Sequence, residues 1–308
     1  MIKSVKIIVY VVIGFCVLLV VGIIGGAFYM FAYALDTEFE HGASAEVPEI
    51  NPGSPEEWLV QSGQLKSIES HDGLNLKAYF IPAPTPTKKY ALLIHGYKAG
   101  PTGMAHYALR YHQQGWNILV PHHRAHGESE GRYIGMGGLE SQDMLGWLSL
   151  IIGLEPNADV LLHGVSMGAA TTMLLTGSKS LPVNVRASVA DCGYTTLTDE
   201  FTHQLKELFG LPPFPLIPLT SLVTKIRANY FFSEVDCLAA VAQSSTPTLF
   251  IHGEEDGFVP FEMLDEIYNV AACPKDIFVV AGAGHAKSRE KDPETYWKRV
   301  DSFLNSYF

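Results

Sequence analysis

The chain has 308 residues, 47% of them hydrophobic and 17% charged, with 32 acidic against 21 basic side chains for a net charge of -11. This composition excludes an intrinsically disordered chain, which combines low hydrophobicity with high net charge. The acidic balance also speaks against a nucleic-acid partner, since such surfaces draw on clustered Lys and Arg. Four cysteines do not make a disulfide framework, and a chain of this length buries a core without one.

Residues 7–35 form an uncharged run of 29 positions. A helix rising 1.5 Å per residue needs roughly 20 apolar residues to cross a ~30 Å hydrocarbon core. Lys3 and Lys6 precede the run, and Asp36, Glu38 and Glu40 follow it. The positive-inside tendency then leaves the N-terminus in the cytoplasm and places everything after residue 36 outside. A cleaved signal peptide is the competing reading, but its apolar region spans only ~7–15 residues. A triplet resembling a cleavage site, Ala43, Ser44 and Ala45, lies too far downstream, and Ile13, Gly14 and Phe15 before Cys16 make a poor lipoprotein signal. The expectation is an uncleaved signal anchor over 1–36 in a single-pass cell-membrane protein. Gly22 and Gly26 have the GxxxG spacing that lets two membrane helices approach closely. Residues 37–63, rich in Glu, Pro, Gly and Ser at their start, read as a tether. Beyond residue 50 the chain keeps 19 basic against 27 acidic side chains, so the extracellular part is acidic in its own right.

From residue 64 onward, strand-like and helix-like segments alternate. Segments 64–70 and 74–81 flank His71, Asp72 and Gly73, a hairpin signal, because Gly accepts the positive φ of a tight turn. Prolines make 82–89 a loop. Short apolar runs at 90–95 and 117–121 read as strands buried on both faces, and those at 159–163, 185–191, 246–252 and 276–280 as further strands. Helical patterns fall at 104–114, 138–153, 166–177, 261–272 and 293–308. This alternation implies βαβ crossovers and a mostly parallel sheet. The rhythm breaks over 193–245, where helical pieces at 197–209, 219–230 and 234–242 are interrupted by the proline-rich LPPFPLIP at 211–218. It reads as a helical lid inserted over one end of the sheet.

The segment DVLLH-GVSMG-AATTM places a strand, a G-x-S-x-G turn and a helix in succession. The turn puts Ser166 on a sharp strand-to-helix corner with its hydroxyl exposed, and Gly164 and Gly168 are needed because side chains there would meet neighbouring backbone. The helix that follows aims its N-terminal N–H groups at a developing oxyanion. A serine nucleophile needs a base oriented by a carboxylate, in the chain order Ser, Asp or Glu, His. Asp256, in the loop after the strand at 246–252, and His285, in the loop after 276–280, fit that order.

The chain resembles α/β-hydrolase-fold serine hydrolases, specifically membrane-anchored bacterial cell-surface hydrolases grouped with serine aminopeptidase-like and prolyl-oligopeptidase-like members. The resemblance rests on IHGY at 94–97, RAHGES at 124–129, GRYIGMG at 131–137, HGVSMG at 163–168, ADCGYTT at 190–196, HGEEDGFVP at 252–260 and GAGHAKS at 282–288. These motifs run in family order across 64–308, which would be the catalytic domain. The resemblance implies a Ser166–Asp256–His285 triad, an oxyanion hole from the backbone N–H groups of Tyr97 and Met167, and no cofactor or metal. One departure is His122, where the family often carries Asp two residues before the Arg of its R-x-H-G motif.

Asp191 also ends a strand and is an alternative acid, ahead of Glu254 and Glu255. His95, His163 and His252 end buried strands and read as structural hydrogen-bonding groups. His122, His123 and His126 cluster locally, but without the H-E-x-x-H spacing of a zinc site. Cys192, Cys237 and Cys273 read as isolated thiols, Cys192 standing beside the expected pocket. The function expected is hydrolysis of a small-molecule carboxylic ester through an acyl-enzyme on Ser166. An aminopeptidase is the alternative within the same chemistry, with Asp199, Glu200, Glu207 or Glu234 as candidates to hold a substrate amino group. A non-catalytic surface binding module is the alternative of another class.

Overall fold

The structure is a computed structural model that describes residues 2–40 and 50–308; Ala43, Ser44, Ala45 and the side chain of Lys3 lie outside the described residues. Eight strands make one sheet: β1 (Gln64–Glu69), β2 (Asn75–Ile81), β3 (Lys89–Ile94), β4 (Asn117–Pro121), β5 (Asp159–Val165), β6 (Val185–Asp191), β7 (Thr248–Gly253) and β8 (Lys275–Val280). Their spatial order is β1-β2-β4-β3-β5-β6-β7-β8. The β1–β2 and β2–β4 pairs are antiparallel and all others parallel. The apolar runs expected as strands all lie in this sheet. β4 and β7 are buried at every position, while edge strand β1 is largely exposed. Full burial explains why β4 and β7 read as unbroken hydrophobic segments, and the partly exposed edge strand β8 reads as one too.

The helices are α1 (Ile2–Leu35), α2 (Pro55–Ser62), α3 (Ala105–Gln113), α4 (Gly138–Leu154), α5 (Met167–Thr176), α6 (Leu197–Phe209), α7 (Leu216–Ala228), α8 (Cys237–Val241), α9 (Glu262–Val270), α10 (Ser288–Lys291) and α11 (Pro293–Leu304). Helices α6, α7 and α8 lie between β6 and β7, over the stretch that breaks the βα rhythm. Two departures from the sequence pattern have local causes. Helix α2 forms inside the segment expected as a tether. Ser54 caps it by accepting from the Glu57 N–H at 3.2 Å, Pro55 takes the first position, and Leu59 is fully buried. Helix α7 starts at Leu216, so Pro218 falls in its first turn, where a missing N–H costs no intrahelical bond.

Helix α1 is long and apolar enough to cross a membrane over Val5–Leu35. Its two parts meet different surroundings. Residues 5–25 are exposed apart from half-buried Ile23, a length of about 31 Å that matches a hydrocarbon core. From Gly26 onward the helix is seated on the rest of the protein. Ala27, Phe31 and Leu35, spaced four apart on one face, are 1%, 3% and 0% exposed. The Phe31 ring packs on Tyr133 and the Tyr33 ring on Phe209, with centroids 5.2 and 5.7 Å apart. Asp36, just past the helix, receives a bidentate pair of bonds from Arg132 at 2.9 and 2.8 Å. Burial works against the Asp36 charge, but the Arg132 guanidinium outweighs it and holds the carboxyl below its usual range.

The seated turns of α1 are thus part of the hydrophobic core. Burying Phe31 and Leu35 is worth roughly 2 kcal/mol each. A chain starting at residue 26 is expected to melt close to the full-length protein, and one starting at residue 37 well below it. Thermal denaturation of both in one detergent checks this, and equal melting temperatures would refute it.

Candidate active site

The turn between β5 and α5 places Ser166 at φ 57° and ψ -120°, a strained conformation for a residue with a side chain. The strain is imposed by close backbone approach on both sides. A Cβ on Gly164 would collide with the carbonyl of Gly168, and a Cβ on Gly168 with the carbonyl of Ile94 at the end of β3. Gly96 lies against the serine too, since a Cβ there would stand 3.3 Å from the Ser166 Cβ. Neither Gly164 nor Gly168 has room for a side chain. The residues expected to supply oxyanion-binding N–H groups flank this contact. Tyr97 follows Gly96, and Met167 opens α5, where the first N–H groups have no intrahelical acceptor.

The structure brings Ser166, His285 and Asp256 into one line. Ser166 Oγ and His285 Nε2 are 2.8 Å apart, and His285 Nδ1 and Asp256 Oδ2 are also 2.8 Å apart. Because an ionised carboxylate only accepts, Nδ1 carries the imidazole proton and Nε2 is left to accept from the serine hydroxyl. The Asp256 side chain is fully buried and that of His285 partly exposed. Burial alone would raise the Asp256 carboxyl, but hydrogen bonds from His252 and His285 hold it far below the usual carboxylate range. The backbone N–H groups of Phe258 and Val259 add two bonds to Oδ1, each of 3.0 Å. His252 is tied in more closely than a generic strand-end residue, with Nε2 3.2 Å from Asp256 Oδ2 and 3.0 Å from the Val259 carbonyl.

The remaining sequence candidates sort by their partners. Asp191 accepts from the Tyr296 hydroxyl at 2.9 Å, and burial raises its carboxyl; its backbone carbonyl takes the Ser166 N–H at 2.8 Å. His163 sits between the hydroxyls of Tyr111 and Tyr296, and burial pushes its imidazole down to about 3. The local histidine cluster is wired to backbone rather than arranged around a point. His123 Nε2 donates to the His95 carbonyl at 3.0 Å, and His126 Nδ1 to the Arg124 carbonyl at 2.9 Å. His122, the departure from the family pattern, accepts from the Glu128 N–H at 3.2 Å and packs its ring against Tyr79. Arg124 is buried between Asp143 and Asp72 and forms paired bonds with both. Cys192, Cys237 and Cys273 are free and buried; Cys192 lies near Asp256 and His285, and burial raises its thiol well above the ordinary range.

Ser166 and His285 open into a cavity of about 520 Å³ whose lining is mostly apolar. Its walls include the β3 loop at Tyr97 and Lys98, helices α6 and α7, Phe258 and Val259 of the loop after β7, and Met30, Tyr33 and Ala34 of α1. The Tyr97 hydroxyl donates to the Ala34 carbonyl at 2.9 Å, which ties the loop beside Ser166 to α1. Glu200 faces this cavity at 2% exposure. One of its oxygens accepts from Gln204 at 3.0 Å and the other has no partner among the described residues. Burial, with a smaller contribution from Asp256, pushes its carboxyl up to about 8. Asp199, Glu207 and Glu234, the other acidic candidates, are exposed. The contribution of α1 to the cavity is the part that sequence reasoning missed. Its one trace was length, an apolar run about nine residues longer than a span requires.

Searched against family models, the chain matches none. It is 30% identical over 240 residues to protein YqkD of Bacillus subtilis, covering 78% of each chain. It is 26% identical over 276 residues to the alpha/beta hydrolase domain-containing protein WAV2 of Arabidopsis thaliana, covering 84% of this chain and 85% of that one. Among solved structures, an esterase of Pyrococcus furiosus superposes with a TM-score of 0.66 at 20% identity, over 86% of this chain and 98% of its own. An acylaminoacyl peptidase of Pyrococcus horikoshii superposes with a TM-score of 0.55 at 20% identity, over 79% and 40%. The strand order, the strained serine turn and these relatives agree, and the chain belongs to the α/β-hydrolase-fold family.

Proposed function

We propose that the protein is a serine hydrolase that cleaves a carboxylic ester through an acyl-enzyme, with Ser166 as nucleophile, His285 as base and Asp256 as the group that orients it. The observation that carries this reading is the unbroken line from Ser166 Oγ through His285 to Asp256, opening into an apolar cavity. Ser166 Oγ attacks the acyl carbonyl and gives its proton to His285 Nε2, while ionised Asp256 stabilises the imidazolium. The backbone N–H groups of Met167 and Tyr97 receive the oxyanion. Collapse expels the alcohol, which takes the proton from His285. A water then repeats the sequence on the acyl-enzyme and frees the acid.

The cavity supports an ester over an N-terminal amino acid as substrate. A free α-amino group needs an ionised carboxylate beside it, and Glu200 is the one acidic residue among those lining the cavity. Burial keeps that carboxyl protonated at neutral pH, so it offers a hydrogen-bond donor instead of a charge. Helices α6, α7 and α8 act as the lid, and α1 anchors the catalytic domain to the outer face of the cell membrane.

Two outcomes follow. Ser166→Ala is expected to abolish both fluorophosphonate labelling and turnover of a p-nitrophenyl acyl ester, a loss of at least about 10³-fold; full activity in this variant would exclude Ser166 as the nucleophile. The second concerns Glu200, which holds its proton to about pH 8 in the folded protein but, with an ordinary carboxyl value of 4.5, loses it earlier in the unfolded chain. The unfolded state therefore binds fewer protons between those values, and stability declines as pH rises through that window. Glu200→Gln removes this dependence. Its melting temperature relative to the wild type should rise steadily from pH 5 to pH 8, and a pH-independent difference would mean that Glu200 is ionised in the folded state.

A further inference from the structure

The proposed hydrolase is built with part of its own membrane helix in the wall of its substrate cavity. Met30, Tyr33 and Ala34 of α1 line the same cavity as Ser166 and His285. All-round exposure of α1 ends at Gly26, beyond which one face (Phe28, Tyr29) stays exposed, and Met30 is four residues further on, about 6 Å along the helix axis. The cavity wall therefore begins one turn above the place where α1 leaves the length that fits a hydrocarbon core.

The segment joining α6 to α7 lies at the same level. It is pinned to α1 at both ends: the Phe209 ring packs on Tyr33, and Leu216 Cδ2 lies so close to Gly26 that a Cβ there would stand 3.2 Å from it. Between these two points the segment turns apolar side chains outward. Leu208 and Phe209 are 57% and 37% exposed, Leu211 39% and Phe214 77%. Phe214 is two residues from the contact with Gly26. Leu208 and Phe209 belong at once to the cavity lining and to this outer surface, so the apolar surface continues from the exposed face of α1, across the segment, and into the cavity that holds Ser166. A large exposed apolar patch on a monomer marks an interaction surface. Here its continuity with the exposed part of α1 identifies the occupant as the bilayer that α1 enters.

We infer that the 208–216 segment dips into the outer leaflet and that the substrate reaches Ser166 sideways from the membrane: a lipid-class ester whose acyl chain occupies the apolar cavity. This rests on the serine-hydrolase reading above. The bond cleaved is the same acyl C–O bond, with water supplying the hydroxyl of the released fatty acid and the proton of the released alcohol.

The test uses full-length protein reconstituted in vesicles of phosphatidylethanolamine and phosphatidylglycerol. Two fluorogenic esters are compared, 4-methylumbelliferyl palmitate carried in the vesicles and 4-methylumbelliferyl acetate in the aqueous phase. The Leu211→Asp/Phe214→Asp variant is expected to lose at least ten-fold in palmitate turnover while hydrolysing acetate within two-fold of the wild type, which also shows that it folds. Unchanged palmitate turnover in the variant overturns the inference. So does a wild type that hydrolyses acetate but not vesicle-borne palmitate, or a variant whose only change is from dimer to monomer in detergent, which would make the patch a contact between copies of the chain. If the wild type turns over neither ester and Ser166 takes no fluorophosphonate label, the serine-hydrolase reading itself fails and this inference falls with it.

Discussion

The site depends on how closely the first turn of α5 approaches the end of β3. Gly168 sits where any side chain would strike the Ile94 carbonyl, and Gly164 where any side chain would strike Gly168. Two elements that come this close leave Ser166 no relaxed conformation, so it takes a positive φ that a residue with a Cβ ordinarily avoids. The same approach presents the start of α5 and the loop after β3 to one side of the serine hydroxyl. Position, strain and the field at the head of a helix are consequences of one steric fact. The sheet tolerates it because the parallel strands on either side of β5 hold the turn from both flanks.

Around that corner the protein shifts its buried titratable groups in opposite directions by the partners it gives each. Asp256, Asp191, Glu140 and Glu200 are all buried, yet only Asp256 is driven well below the ordinary range, because two imidazoles and two backbone N–H groups converge on it. Burial raises Asp191, Glu140 and Glu200, whose partners do not make up for lost solvation. The buried imidazoles of His95, His123 and His163 are driven the other way, toward the neutral form. Asp256, the carboxylate beside His285, is thus the one of these four carboxyls held most firmly in its charged form, the electrostatic arrangement that the proposed general base requires.

Much of this was legible in the sequence because the signals are local. The inner strands announce themselves as short apolar runs, and the G-x-S-x-G turn carries its strand and helix with it. Chain order at strand ends brings His285 and the candidate acids Asp191 and Asp256 forward, and the family resemblance points to Asp256. What stayed hidden depends on tertiary surroundings. Hydropathy cannot distinguish Phe31, which faces protein, from Phe15, which does not, because lipid and protein interior are equally apolar to it. Glu200 looks like Asp199 or Glu207 until burial picks it out. Helix α2 is an intermediate case: Ser54, Pro55 and Glu57 spell a helix start, but the Gly- and Pro-containing composition around them reads as tether.

The continuity of α1 from its exposed length into the folded domain has a mechanical meaning. Among the described residues, Phe31 and Leu35 in the core and the Asp36–Arg132 clamp fasten the end of the helix to the domain. On the proposed topology the domain cannot tumble above the bilayer or swing down to it. It turns about the membrane normal together with its helix, as a single rotor, and keeps its cavity at one fixed elevation. If the proposed lipid ester is the substrate, bilayer thickness becomes a variable the protein responds to, since a thinner or thicker leaflet would move that ester bond past Ser166 without altering a single contact within the protein.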